Sequence, residues 1–201
     1  MSIYALKPRF QALLRPLAQH LARSGVTANQ VTVAACAISI AIGALLASLP
    51  QEHALFLLLP AWFFLRMAFN AIDGMLAREF GQKTALGAYL NELTDVVCDA
   101  ALYLPFALIP GSNPWLVGAV IALSIVSEMT GTVAVMTGAS RRYDGPMGKS
   151  DRAFVFGLLG LLIGIGVPAG AWLNWLWAAV ALLIAFTVVN RVRKGLAEIR
   201  R

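Results

Sequence analysis

The run from Asn70 to Asp99, NAIDGMLAREFGQKTALGAYLNELTDVVCD, holds the side chains best suited to chemistry. Asp73, Asp95 and Asp99 lie inside segments otherwise apolar enough to cross a membrane, where an ionisable group is costly and usually marks a site. Asn70, Asp73 and Ala77 repeat at helical spacing on one face, and Gly87, Asn91, Asp95 and Asp99 do so on a second helix. A short polar turn, Arg78 to Thr84, joins the two, so the faces can oppose each other across a narrow gap. Oxygen donors on both sides of a gap suit a hard divalent cation and the phosphate groups such a cation attracts.

These helices belong to a membrane protein. The chain of 201 residues is 59% hydrophobic and only 13% charged, where a soluble domain carries roughly a quarter. That excludes an ordinary soluble fold and predicts one all-α, polytopic integral membrane domain over residues 1–201. The net charge of +6 does not point to nucleic acid, because the basic residues are placed as membrane topology requires. Cys36 and Cys98 sit in apolar helices, which argues against a disulfide framework or a zinc site. His20 and His53 form no cluster. No apolar core with a small-residue cleavage site opens the chain, so no cleaved signal peptide is expected.

Residues 1–24 read as an amphipathic helix lying on the membrane, with Leu6, Phe10, Leu13, Leu17 and Leu21 as its apolar stripe and Lys7, Arg9, Arg15 and Arg23 beside it. An ordinary packing helix would carry the same pattern. Thr27 is the expected N-cap of the next helix. Six apolar stretches then predict spans near Gln30–Leu49, His53–Phe80, Thr84–Ile109, Pro114–Ala139, Ser150–Val167 and Trp172–Val192, with kinks expected at Pro60 and Pro105. The breaks at Pro50, Pro110-Gly111 and Pro168-Ala169-Gly170 contain no Lys or Arg. The opposite ends carry Arg23, Arg78, Lys83, Arg141, Arg142, Lys149, Arg191, Arg193 and Lys194. By the positive-inside rule both termini and the Asn70–Asp99 site face the cytoplasm. Trp172, Trp175 and Trp177 read as an aromatic belt at the other interface.

The spacing Asp73-Gly74, Ala77-Arg78, then Gly87, Asn91 and Asp95 resembles the signature of the CDP-alcohol phosphatidyltransferase family, D-x-x-D-G-x-x-A-R, eight residues, then G-x-x-x-D-x-x-x-D. Two of its four acidic places differ: Asn70 stands at the first and Asn91 at the third. The resemblance implies a bacterial inner-membrane enzyme of phospholipid synthesis. It would pass a phosphatidyl group from a CDP-diacylglycerol-like donor to a small alcohol, release CMP, use Mg2+ or Mn2+, and work as a homodimer. It further implies that Asn70, Asp73, Gly74, Ala77, Arg78 and Gly87 hold the donor nucleotide. Metal would fall to Asn70, Asp73, Asn91 and Asp95, and Asp95 would deprotonate the acceptor hydroxyl. An amide oxygen still ligates a hard cation but brings no charge, so Asp99, one turn beyond Asp95, or Glu92 is expected to compensate. Gly74, Ala77 and Gly87 equally suit close helix packing, and Arg78 equally suits a topology-setting charge.

A second basic group, Arg141, Arg142, Lys149 and Arg152, follows the fourth span. It reads as a pocket for a phosphorylated acceptor or as a cytoplasmic loop drawn to anionic lipid. Arg66 and Glu128, each costly alone in lipid, are expected to pair. Asp151 reads as a helix-capping acid. Two other functions stay open. One is a family member that binds CDP-lipid without turnover, for which Asn70 and Asn91 speak. The other is a transporter, against which the lack of internal repeats speaks.

Overall fold

The structure, a computed structural model, describes residues 6–200, with side chains from Arg9 onward. The expected contributions of Met1–Ala5 and of the Leu6 and Lys7 side chains lie outside the described residues. Those described fold into helices without a strand: α1 Leu6–Arg23, α2 Ala28–Ser48, α3 Leu58–Glu79, α4 Ala85–Tyr103, α5 Pro114–Met136, α6 Lys149–Gly164 and α7 Trp172–Ile199. Short 3-10 turns, His53–Leu57 and Leu104–Leu108, lead into α3 and out of α4.

Local chemistry fixes most boundaries. Thr27 caps α2 as expected and does so reciprocally. Its hydroxyl accepts from Gln30 N at 3.2 Å while its own N–H donates to Gln30 Oε1 at 2.9 Å. Thr84 caps α4 by accepting from Gly87 N at 2.9 Å, and Asn113 caps α5 ahead of Pro114. The two prolines expected to kink their helices mark ends instead. Pro60 lies in the first turn of α3, where its missing N–H is not needed, and Pro105 follows the end of α4.

Helices α2, the unit His53–Glu79, α5 and α7 are long and apolar enough to cross a membrane. α4 carries Glu92, Asp95 and Asp99 within its 19 residues, and α6 has only 16 residues, about 24 Å of rise. Those carboxylates and that length set the two apart from the other four.

α2 packs against both α3 and α4, and α3 against α6, whereas α3 and α4 do not pack along each other. The gap between the signature helices is therefore floored by α2. α2 and α4 run in parallel and meet so closely at Gly43 that a Cβ there would lie 2.2 Å from the Ala101 carbonyl oxygen. A main core of Leu59, Tyr103, Phe106, Phe156, Leu159 and Trp177 fills the half of the bundle away from the basic ends. Within it the rings of Tyr103 and Phe156 stack at 3.6 Å. Trp177 belongs to this core, fully buried with its indole N–H on Ser112 Oγ at 2.9 Å. It is not part of the belt the sequence suggested. The exposed tryptophans at that end are Trp172, Trp175 and Trp115.

α1 serves two surfaces. Leu14, Ala18 and Leu21 pack on Ile72, Met75 and Leu76 of α3, while Leu13 and Leu17 remain exposed on another flank, as an interfacial helix requires. Arg15 ties it to Glu79 at 3.1 Å. Gln82, in the turn between α3 and α4, accepts from Ala28 N at 2.7 Å and donates to Val26 O at 3.3 Å. That pins the signature's turn to the start of α2.

The α2–α4 crossing makes a direct prediction. Gly43→Ala overpacks it and lowers stability by about 1–3 kcal/mol or more. Gly118→Ala, on an open face of α5 with nothing within 4 Å, is neutral or mildly stabilising through helix propensity. Thermal unfolding midpoints of the two variants in one detergent check the contrast.

Candidate active site

The signature residues gather at the basic end of the α2–α3–α4 gap. Asn70, Asn91 and Asp95 line a cavity of about 400 Å3, together with Glu128, Arg141, Tyr143, Lys149, Ser150 and Arg191. Asp73 sits deeper against α2 and is nearly buried, and its Oδ2 accepts from Thr32 Oγ1 at 2.8 Å. Thr32 and Asn29 are contributions from α2 that the sequence reading missed. Asn29 Oδ1 lies 2.8 Å from where a Cβ on Gly87 would stand. Gly87 is thus small because α2 presses on it. Gly74 has a different reason: the Arg78 side chain folds back over it, and a Cβ would meet Arg78 Nη2 at 2.7 Å. Ala77 is half-buried next to Arg78, which is exposed.

Behind the cavity, a chain of ion pairs links five helices. Arg66, on α3 and one turn deeper than Asn70, is buried and donates to Asp99 Oδ1 at 2.6 Å. It also reaches the Asp95 carbonyl at 3.2 Å and Asp95 Oδ1 at 3.4 Å. The other oxygen of Asp99 accepts from Arg152 Nη2 at 3.1 Å, and the same nitrogen lies 3.0 Å from Glu128 Oε1. Glu128 then meets Arg191 at 3.6 Å and Arg141 at 3.4 Å, and Arg141 pairs with Glu92. At the other end, Lys149 pairs with Asp95 Oδ1.

This network corrects several expectations. Asp99 does not face the gap as a compensating ligand: both its oxygens are engaged by arginines, and it is only 4% exposed. Glu92 is turned onto Arg141. Arg66 and Glu128 do not pair with each other. They are bridged through Asp99 of α4 and Arg152 of α6. Arg152, expected at an acceptor phosphate, is fully enclosed and serves the network. Arg142 points away from the cavity to Asp144 and Glu198. Arg191 takes a place at the cavity that the sequence did not assign, having read as a topology charge at the end of an apolar helix. Asp151 caps α6 as expected, accepting from Gly148 N at 2.9 Å.

The loop carrying this second basic group is anchored rather than loose. Met147 N donates to Thr187 Oγ1 at 2.9 Å, and Gly145, at φ +130°, lies so close to α7 that a Cβ would fall 2.5 Å from Thr187 Cγ2. Only glycine combines that φ with that approach. Asp144 accepts from Lys194 at 2.9 Å and pairs with Arg142. Burial works against its charge, but those hydrogen bonds outweigh it and hold its carboxyl below the ordinary value. Burial also holds the Arg141 guanidinium below its ordinary value.

Among the described residues no three His, Cys, Asp or Glu side chains converge. The donors at the gap are the carboxylates of Asp73 and Asp95 and the amides of Asn70 and Asn91, all hard oxygen ligands. That donor set fits Mg2+ or Mn2+. The cavity lining sets three cations, Arg141, Lys149 and Arg191, against three carboxylates, Asp95, Glu128 and Asp151, and the two guanidinium groups are the part of it suited to a phosphate.

Residues 25–189 match the CDP-alcohol phosphatidyltransferase family. The chain is 48% identical over 196 residues to the inner membrane protein YnbA of Escherichia coli, covering 98% of this chain and 97% of that protein. It is 29% identical over 205 residues to the phosphatidylinositol phosphate synthase of Corynebacterium glutamicum, covering 96% and 87%. The crystal structure of the Mycobacterium tuberculosis phosphatidylinositol phosphate synthase in complex with manganese and citrate superposes with a TM-score of 0.72 at 25% identity, over 90% of this chain and 88% of that one. The same synthase with CDP-DAG bound gives 0.67 at 25% identity, over 92% of each.

The Arg66–Asp99 pair is a strut between α3 and α4, and removing one partner leaves the other, buried, with a single longer ion pair: Asp99 to Arg152 at 3.1 Å or Arg66 to Asp95 at 3.4 Å. Arg66→Met and Asp99→Met each cost about 3–5 kcal/mol. Their double variant costs less than the sum by at least about 1 kcal/mol. Unfolding of the three variants in detergent measures that coupling.

Proposed function

Because the chain belongs to the CDP-alcohol phosphatidyltransferase family, we propose that the gap and its cavity carry out phosphatidyl transfer from CDP-diacylglycerol to a phosphorylated polyol. The carrying observation is a cavity of about 400 Å3 that joins the signature residues Asn70, Asn91 and Asp95 to Lys149, Arg141 and Arg191. One end of it suits a nucleotide diphosphate and the other a second, separate phosphate. The relatives named as phosphatidylinositol phosphate synthases support an acceptor of this kind.

In this reading Asn70, Asp73 and Asn91, facing Asp95, would hold a divalent ion, Mg2+ or Mn2+, which would supply charge stabilisation to the diphosphate and to the departing CMP. Thr32 holds Asp73 in place through Oδ2. Gly74, Ala77 and Gly87 keep the facing helices low enough for the nucleotide, and Arg78, folded along α3, stands beside it. Asp95 receives the proton of the attacking hydroxyl. Its Oδ1 takes the contacts from Lys149 and Arg66, so Oδ2 is the basic atom. The hydroxyl attacks the phosphorus in line. The bond from that phosphorus to the CMP oxygen breaks, and CMP leaves with the electron pair. None of the signature positions carries a Ser, Cys or His to form a covalent intermediate. Arg141 and Arg191 bind the acceptor's own phosphate, where a planar fork gives two hydrogen bonds.

The placement of basic residues orients the cavity and both termini toward the cytoplasm, with α4 and α6 as further membrane-embedded helices and residues 1–201 as one unit. Exposed Leu86, Tyr89 and Leu93 on α4 face lipid or the second copy of a homodimer. Asn70 and Asn91 favour one other reading, a protein that binds CDP-lipid without turning it over.

The two readings separate on CMP release from CDP-diacylglycerol with Mn2+ and a phosphorylated polyol. Asp73→Asn and Asp95→Asn each lower the rate by 100-fold or more. Arg191→Gln raises the acceptor KM by about tenfold, as the loss of one charge-assisted hydrogen bond would, with little change in kcat. Donor binding with no release by the unaltered protein would favour the binding-only reading.

A further inference from the structure

The two carboxylates of the gap meet different surroundings. Asp95 Oδ1 is paired with Lys149 Nζ and lies 3.4 Å from Arg66 Nη2. Asp73 is met by the neutral hydroxyl of Thr32 at 2.8 Å, and no cation pairs with it among the described residues. The four signature positions together carry a formal charge of −2, because Asn70 and Asn91 bring oxygen without charge. With Asp95 matched by Lys149, the carboxylate charge left for an ion is the −1 of Asp73, enough for one divalent ion and not two. Four carboxylates at those places would carry −4 and neutralise two.

Lys149 is held where it can act as a fixed charge. It opens α6 directly after Gly148, whose N–H is held by Asp151 at 2.9 Å. Two residues earlier, Met147 N is anchored to Thr187 at 2.9 Å. The backbone that carries the ammonium group is therefore tied at both its own helix start and α7. An ammonium is a compact point charge and satisfies one carboxylate oxygen without requiring a coordination shell.

We propose that this protein binds one divalent ion, on the Asp73 side of the gap with Asn70 and Asn91. In that arrangement the Lys149 ammonium stands at Asp95 in place of a second ion. The proposal rests on the transferase reading for the identity of the nucleotide ligand. It makes Lys149 a positioning residue that holds Asp95 oriented beside the acceptor, and it gives the two asparagines a reason: with lysine at Asp95, two further carboxylates would leave the gap with excess negative charge.

The test is Mn2+ stoichiometry at saturating Mn2+ and CDP, in nanodiscs, by metal analysis and electron paramagnetic resonance. The unaltered protein should hold one Mn2+ per chain with an uncoupled six-line spectrum. The triple variant Asn70→Asp, Asn91→Asp, Lys149→Met should hold two, with the broadening of a spin-coupled pair. Two ions, or none, in the unaltered protein would overturn the proposal, whatever the triple variant does, and so would a folded triple variant that holds one. CMP release is read separately. Acceptor-dependent release with two ions bound would sink the single-ion inference and leave the transferase standing. One ion with no release from any acceptor would do the reverse.

Discussion

Charge buried in an apolar bundle must be matched, and here one chain of pairs does the matching. It runs from Lys149 through Asp95, Arg66, Asp99, Arg152 and Glu128 to Arg191 and Arg141. Its buried members, Arg66, Asp99, Arg152 and Glu128, each hold two or more partners, and removing one member leaves its neighbours under-matched, which costs more than a pair stabilises. The network therefore dictates geometry. Arg66 spans the distance between α3 and α4 where their backbones do not pack, and Arg152 does the same between α4, α5 and α6. The gap proposed to receive the nucleotide is spanned by these side chains, over a floor set by the Gly43–Ala101 approach.

That division of labour explains why so few of the charged residues reach the cavity. Asp99 and Arg152 look like site residues by type and position, yet both are consumed by matching each other. What remains at the cavity is a short list: one carboxylate of the gap, two signature amides, and three cations with Glu128 and Asp151. The chemistry proposed for this family member uses what the network leaves over. The residue at the boundary is Lys149, which belongs to the network through Asp95 and to the cavity through its position at the start of α6.

Much of this was legible from the residues alone. The helical class, the Thr27 and Thr84 boundaries, the membrane setting and the signature spacing follow from local rules that the structure does not override. The misreadings share one cause: a sequence shows which face of a helix a side chain occupies but not which partner stands opposite. Asp99 lies on the face expected of it, and what the spacing does not reveal is that two arginines from other helices occupy that face. Arg66 and Glu128 were rightly read as needing partners, but the partner of each came from a helix in between. Trp177 carried the composition of an interface residue and was drawn into the core by Phe106 and Phe156. Thr32 and Asn29 escaped notice because polar residues near a helix start read as caps. Arg191 escaped because a basic residue at the end of an apolar helix reads as topology.

The central claim is that a cavity carrying the guanidinium groups of Arg141 and Arg191, opening directly off the Asp95 side of the gap, selects an acceptor that carries its own phosphate. The most direct measurement is CMP release from CDP-diacylglycerol in nanodiscs, with an inositol phosphate and inositol, and with glycerol 3-phosphate and glycerol, compared pairwise. The account predicts that a phosphorylated member of a pair is used at least about a hundredfold better in kcat/KM, as two charge-assisted arginine contacts would give. Equal use of both members of each pair, or preference for an uncharged alcohol, would contradict it.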